Sequence, residues 1–174
     1  MKTVTLVFII LFSNITYALT QEEAWAIHST PLGTLEFKYG EKLSRTNFDG
    51  VYLDGIKIYS VIGRKDVWDT PISLSEAAVD IVRSNGKVVR DERGRARIKR
   101  LLLSESGMCI HEYVIIDLTG KSPFVSNRFG HNPTGKSCFE LISTKWGAKK
   151  SYITIFGPLK YMYTTGEDVI GPVE

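Results

Sequence analysis

The chain has 174 residues, 43% of them apolar and 24% charged, with 15 glycines and 6 prolines. Those are ordinary globular values, and they exclude a disordered tail, a collagen or a coiled coil as the main architecture. The balance of 22 Lys and Arg against 19 Asp and Glu leaves +3, too small a bulk field to mark a nucleic-acid binder.

The chain opens like an export signal. Met1-Lys2 is a positive start, Val4 to Phe12 is apolar except for Thr5, and Thr16-Tyr17-Ala18 places small residues at −3 and −1. The apolar run is about half of the ~20 residues that cross a bilayer. The reading is a signal peptide over 1–18, cleaved after Ala18, and a single β-rich domain over 19–174. Asn132-Pro133-Thr134 has the forbidden Pro in its sequon. The domain then carries no glycosylation site, which favours a bacterial periplasmic protein over a eukaryotic secreted one; an extracellular location is the alternative.

Thr20-x-x-Glu23 is a capping box and predicts a short helix from Gln21 to His28, ending before Pro31. Leu35, Phe37 and Tyr39 alternate, as in a strand over Gly33–Tyr39. Asp54-Gly55 between Val51–Leu53 and Ile56–Ile62 reads as a tight hairpin, because this pair accepts positive φ. Asp66 and Asp69 around Trp68 read as turn residues.

Ser73-x-x-Glu76 is a second capping box, and Leu74, Ala77, Ala78, Ile81 and Val82 recur at helical spacing. The preferred reading is one helix near 74–84, stopped by Asn85-Gly86. The rival makes Asn85-Gly86 a hairpin turn between Val79–Arg83 and Lys87–Arg90. From Lys87 onward the pattern is strand after strand, with a polar turn at Asp91–Gly94. The strands are expected over 95–104, 109–118, 124–129, 138–144, 151–156 and 159–164, punctuated by Gly and Pro. The predicted fold class is mainly β (β-rich α+β): an antiparallel sheet or meander, flat, curved or in two sheets, with that one helix.

Cys109 and Cys138 are the only cysteines, and in an exported chain such a pair reads as one disulfide. Free buried thiols or a catalytic thiol are the alternatives. His28, His111 and His131 have no metal-ligand spacing with them, so no metal or cofactor is expected.

Gly130-His131-Asn132-Pro133-Thr134-Gly135-Lys136-Ser137 matches GxxxxGKS, and Val114-Ile115-Ile116-Asp117 imitates a magnesium-holding strand. A phosphate loop needs a helix starting at its Lys-Ser, aimed at the phosphates. Phe139 to Thr144 does not supply one, and the 38 residues after Lys136 are too few for further parallel βαβ units. Gly130, Gly135, Lys136 and Ser137 are therefore read as a false match, with no nucleotide. His131 with Ser137 and Asp117 or Glu112 is the best hydrolytic triad on offer, but no nucleophile turn accompanies it. A periplasmic hydrolase using this loop is the alternative function.

Thr30–Phe37, Val51–Tyr59, Leu101–Cys109, Tyr113–Asp117, Val125-Ser126 and Phe129-Gly130 before Cys138 occur in an order that resembles a broad group of small exported β-rich proteins of Gram-negative bacteria. The group has no established activity, so the resemblance implies location and fold only. Ile110 stands where the group has Pro, and seven residues, His131 to Ser137, separate Gly130 from Cys138 where the group has about one.

Charge is unevenly spread. Arg83 to Arg100 holds eight cations against Asp91 and Glu92. On a strand, Arg95, Arg97 and Lys99 share one face. With Arg93 they form a candidate binding stripe for an acidic protein partner. The competing reading is a solvated edge whose charges discourage aggregation. Nucleic acid is the less favoured partner. The function expected is a non-enzymatic periplasmic binding, inhibitor or immunity-type protein.

Overall fold

Leu101-Leu102-Leu103 and Tyr113-Val114-Ile115-Ile116 show no polar alternation, and this decides the architecture. A strand covered on one side alternates, whereas one covered on both sides is apolar throughout. The computed structural model describes residues 27–38, 50–66, 68–108, 110–131 and 140–174. In it these runs lie on neighbouring antiparallel strands, and all seven side chains are fully buried.

They belong to a middle sheet of four strands, β5 (Ser73–Ile81), β8 (Ile98–Ser106), β9 (Ile110–Asp117) and β10 (Phe124–Val125), in the order β10-β9-β8-β5. A meander of β1 (Ile27–Thr30), β2 (Gly33–Lys38), β3 (Gly50–Leu53) and β4 (Ile56–Ser60) covers one face. There Leu35, Phe37 and Val51 pack with Leu101, Leu103, Val114 and Ile116. A second meander covers the other face: β11 (Leu141–Lys145), β12 (Lys150–Ile155), β13 (Leu159–Thr164) and β14 (Ile170–Val173). Its Ile153, Ile155, Tyr161 and Tyr163 pack with Leu102, Tyr113 and Ile115. The fold is mainly β and antiparallel, as the succession of strand patterns predicts, but the sheets form three layers.

The helix near 74–84 is replaced by strand β5. A bulge explains the misreading. Glu76 pairs with Leu103 and Ala78 with Leu102, so Ala77 is an extra residue. The bulge shifts the phase: Leu74 and Val79 join one core while Ala77 and Ala78 pack on the other. A bulged strand with two buried faces thus reproduces the i, i+3, i+4 spacing of a helix. The rival reading holds. Asn85 (φ 49) and Gly86 (φ 76) turn the hairpin of β6 (Arg83–Ser84) and β7 (Lys87–Val88). Asp54 (φ 46) and Gly55 (φ 80) turn β3 into β4 in the same way, as expected.

Of the helix expected over 21–28, Ile27 and His28 lie in β1, and the remainder is outside the described residues. Residues 1–18, Cys109 and Cys138 are also outside them, and with them the signal peptide and the disulfide. The strands expected near 124–129 and 138–144 do not continue one meander: β10 pairs with β9, while β11 joins the outer sheet. Asp66 serves its turn as anticipated, its carboxylate accepting from the N–H groups of Trp68 and Thr70 at 2.8 Å each. Among the described residues no helix is long and apolar enough to cross a membrane.

Candidate functional site

The basic segment folds as a hairpin laid against β1. Arg90 pairs with Ala96, Asp91 N–H donates to the Arg95 carbonyl, and Gly94 N–H to the Asp91 carbonyl, both at 2.9 Å. Asp91 organises the turn. Its carboxylate accepts from the N–H groups of Arg93 (2.9 Å) and Arg95 (2.8 Å) and from Arg95 Nε (2.7 Å). Desolvation works against the carboxylate, but the Arg95 bonds and charge and the Arg93 N–H hold its pKa below the ordinary value.

Of the predicted stripe, Arg93, Arg95 and Arg97 stay together along one groove, and Lys99 leaves it. Arg95 is ion-paired with Asp91. Ile81 pairs with Ile98 and Asp80 with Arg100, so Lys99 is the extra residue of a bulge and leaves the row. It lies 3.6 Å from the Asp80 carboxylate. Arg97 Nε donates to the Thr30 carbonyl at 3.0 Å and pins the hairpin to the end of β1. Arg93 is exposed at the turn. Arg100, also within the basic run, is buried. It donates to Asp80 (2.8 Å), Ser151 Oγ (3.1 Å) and the Gly147 carbonyl (2.8 Å), tying the middle sheet to the outer one.

Sequence reasoning missed Arg90, whose Nη1 donates to the Gly94 carbonyl at 2.7 Å. Arg90, Arg93 and Arg97 have no carboxylate within ion-pair distance among the described residues. They line a groove of about 590 Å³ between the hairpin and the edge of the first meander, with Ile27, Ser29, Thr34 and Glu36 on the opposite wall. Asp91 and Glu92 also stand on its rim. A second, mainly apolar hollow of about 430 Å³ adjoins it and shares Ile27, Arg90 and Arg95. Val79, Ile81, Ala96 and Ile98 line it. These residues come from three separate chain segments, so no local pattern announces them.

Of the acids offered for the triad, Glu112 and not Asp117 stands beside His131. His131 Nδ1 is 3.4 Å from Glu112 Oε1. Asp117 is five residues further along β9, about 17 Å away at strand rise. Its carboxylate is taken by Tyr163 Oη (2.6 Å), Thr119 Oγ1 (2.6 Å) and Thr119 N–H (2.8 Å). Ser137, Gly135 and Lys136 lie outside the described residues. Gly130 has a packing role: it follows Phe129, which bridges Tyr113, and a Cβ there would stand 3.0 Å from Ile155. β9, which carries Asp117, runs antiparallel to both neighbours, unlike a phosphate-loop sheet.

A charged cluster near His131 was not legible in the sequence. Glu105 and Glu112 face each other across β8 and β9, and Glu105 is fully buried. Opposed like charges are destabilising. Arg64 offsets them by donating to Glu105 and, at 3.1 Å, to Glu112. Arg128 Nε donates to Glu105 at 3.0 Å, and Tyr59 Oη donates to the same carboxylate. Burial first, then Glu105, holds the Tyr59 phenol protonated well above the ordinary range. The cations and carboxylates here satisfy one another, so the cluster ties β4 to the middle sheet rather than presenting a free charge.

No protein-family model, curated protein or solved structure matches the chain.

Proposed function

We propose that this is an exported, non-catalytic binding or inhibitor protein of the periplasm, which captures an acidic protein partner at the groove between the 90–97 hairpin and β1. The observation that supports it is the division of the basic run. Arg95, Lys99 and Arg100 are spent on carboxylates within the fold. Arg90, Arg93 and Arg97 make no ion pair among the described residues and line one concave surface. Guanidinium groups match carboxylates two bonds at a time, and charge of this kind raises association rates. Export rests on the segment 1–18 and on the resemblance to small exported β-rich proteins. The reading involves no nucleotide, metal or membrane span, and it favours a protein over nucleic acid because three carboxylates interrupt the basic surface.

The test is capture from periplasmic extract with the mature domain, compared with Arg90→Glu/Arg93→Glu. The unmodified domain should retain a specific acidic protein whose on-rate falls steeply with salt. The double variant should lose it while melting within about 2 °C of the parent, because exposed charges contribute little to stability. Equal capture by both forms would refute the assignment. The exported product should begin near Leu19.

A further inference from the structure

We infer that the partner is recognised through a short segment in which one apolar side chain is flanked by carboxylates. The apolar side chain seats in the hollow beside the groove, and the carboxylates meet Arg90 and Arg93. This deepens the proposed function and rests on it.

Two observations lead here. The polar groove and the apolar hollow are contiguous, sharing Ile27, Arg90 and Arg95. A ligand that engages the arginines is therefore already beside Val79, Ile81 and Ile98. Charge alone would need no such floor, and an apolar ligand alone would leave desolvated guanidinium groups at its mouth. Next, the rim is of mixed sign. Glu36, Asp91 and Glu92 stand among the arginines. A continuous polyanion, such as a nucleic-acid backbone or an anionic bilayer surface, meets repulsion there, while a segment with two or three spaced carboxylates does not.

The probes are two fluorescein-labelled dodecapeptides of Glu, Gly and Ser. One has a central Leu between two Glu, and in the other that Leu is Ser. Binding to the full exported product is read by fluorescence anisotropy at low and physiological salt. The Leu peptide should bind at least about tenfold more tightly, which is about 1.4 kcal/mol. Ala96→Leu, which fills the hollow without changing charge, should abolish that difference and leave the Ser peptide unaffected. Val79→Thr, similar in shape but polar, serves the same purpose should Ala96→Leu fail to fold. Arg90→Gln should weaken both peptides.

Equal, salt-sensitive binding of both peptides would overturn this inference and leave the charge-based function standing. No binding of either peptide would overturn both. Sedimentation with phosphatidylglycerol vesicles that is lost in Ala96→Leu, without peptide binding, would assign the groove to a membrane instead. Tenfold tighter peptide binding by Glu22→Gln/Glu23→Gln/Trp25→Ala would make the chain's own N-terminal segment the occupant and overturn the partner assignment.

Discussion

Replacing Glu105 by glutamine keeps the shape of a fully buried side chain and removes its charge. The carboxylate accepts from Tyr59, Arg64 and Arg128, which come from three separate parts of the chain. Glutamine offers one acceptor oxygen, and its amide turns N–H groups toward donors. Bonds to a charged group contribute about 1.5–3 kcal/mol each, against about 1 for neutral ones. Breaking a buried pair outright costs about 3–5 kcal/mol. Here the side chains of Arg64 and Arg128 are 33% and 38% exposed, so both can turn to water, which reduces the loss. The opposing Glu112 gains from the removal of a like charge, which reduces it further. The expected destabilisation is about 2–3 kcal/mol, or roughly 4–12 °C in Tm for a chain of this size. Urea and thermal unfolding of Glu105→Gln, Arg128→Gln and the double variant measure it, and the cycle should show at least about 1 kcal/mol of coupling between the two. A loss below about 0.5 kcal/mol with no coupling would refute the view that this cluster fastens β4 to the middle sheet.

Other consequences are open to measurement. Tyr113 and Tyr163 are fully buried, and burial raises both phenols, helped by Glu140 at the first and by the Asp117 bond at the second. The native state then holds protons that the unfolded chain releases above about pH 10. Their contribution to stability is complete below that pH and declines above it, by up to about 2.7 kcal/mol per pH unit for the two together. Tyrosinate absorbance appearing near pH 10 in the folded protein at both positions would contradict this. Gly86 and Gly130 have nearly the same φ, 76 and 73, but a Cβ meets nothing within 4 Å at the first and stands 3.0 Å from Ile155 at the second. Gly86→Ala should cost about 1–2 kcal/mol for backbone alone, and Gly130→Ala roughly 1–3 kcal/mol more for overpacking, as judged by urea midpoints. Asn127 holds the turn before β14 through both its amide atoms, Nδ2 to the Val169 carbonyl (3.1 Å) and Oδ1 from the Val169 N–H (2.7 Å). Asn127→Ala should cost about 1–3 kcal/mol and raise amide exchange at Val169 before the middle sheet opens.

What the sequence determined by itself was local. Asp54-Gly55 and Asn85-Gly86 impose hairpins because both positions of each turn need positive φ. Asp91–Gly94 closes its turn through a carboxylate that reaches backbone N–H groups two and four residues on. The apolar runs at 101–103 and 113–116 were legible as strands, but their coverage on both faces came with the packing. Three-dimensional packing decided the rest. The bulge at Ala77 depends on two cores pressing on opposite faces of β5, and no window of sequence holds both. The bulge at Lys99 likewise turned one member of a regular basic row toward Asp80, nineteen residues away. A charge pattern states how many arginines a segment carries. Which of them stay available depends on where distant carboxylates and carbonyls come to rest, because at contact distance a partner outweighs any periodicity along the chain.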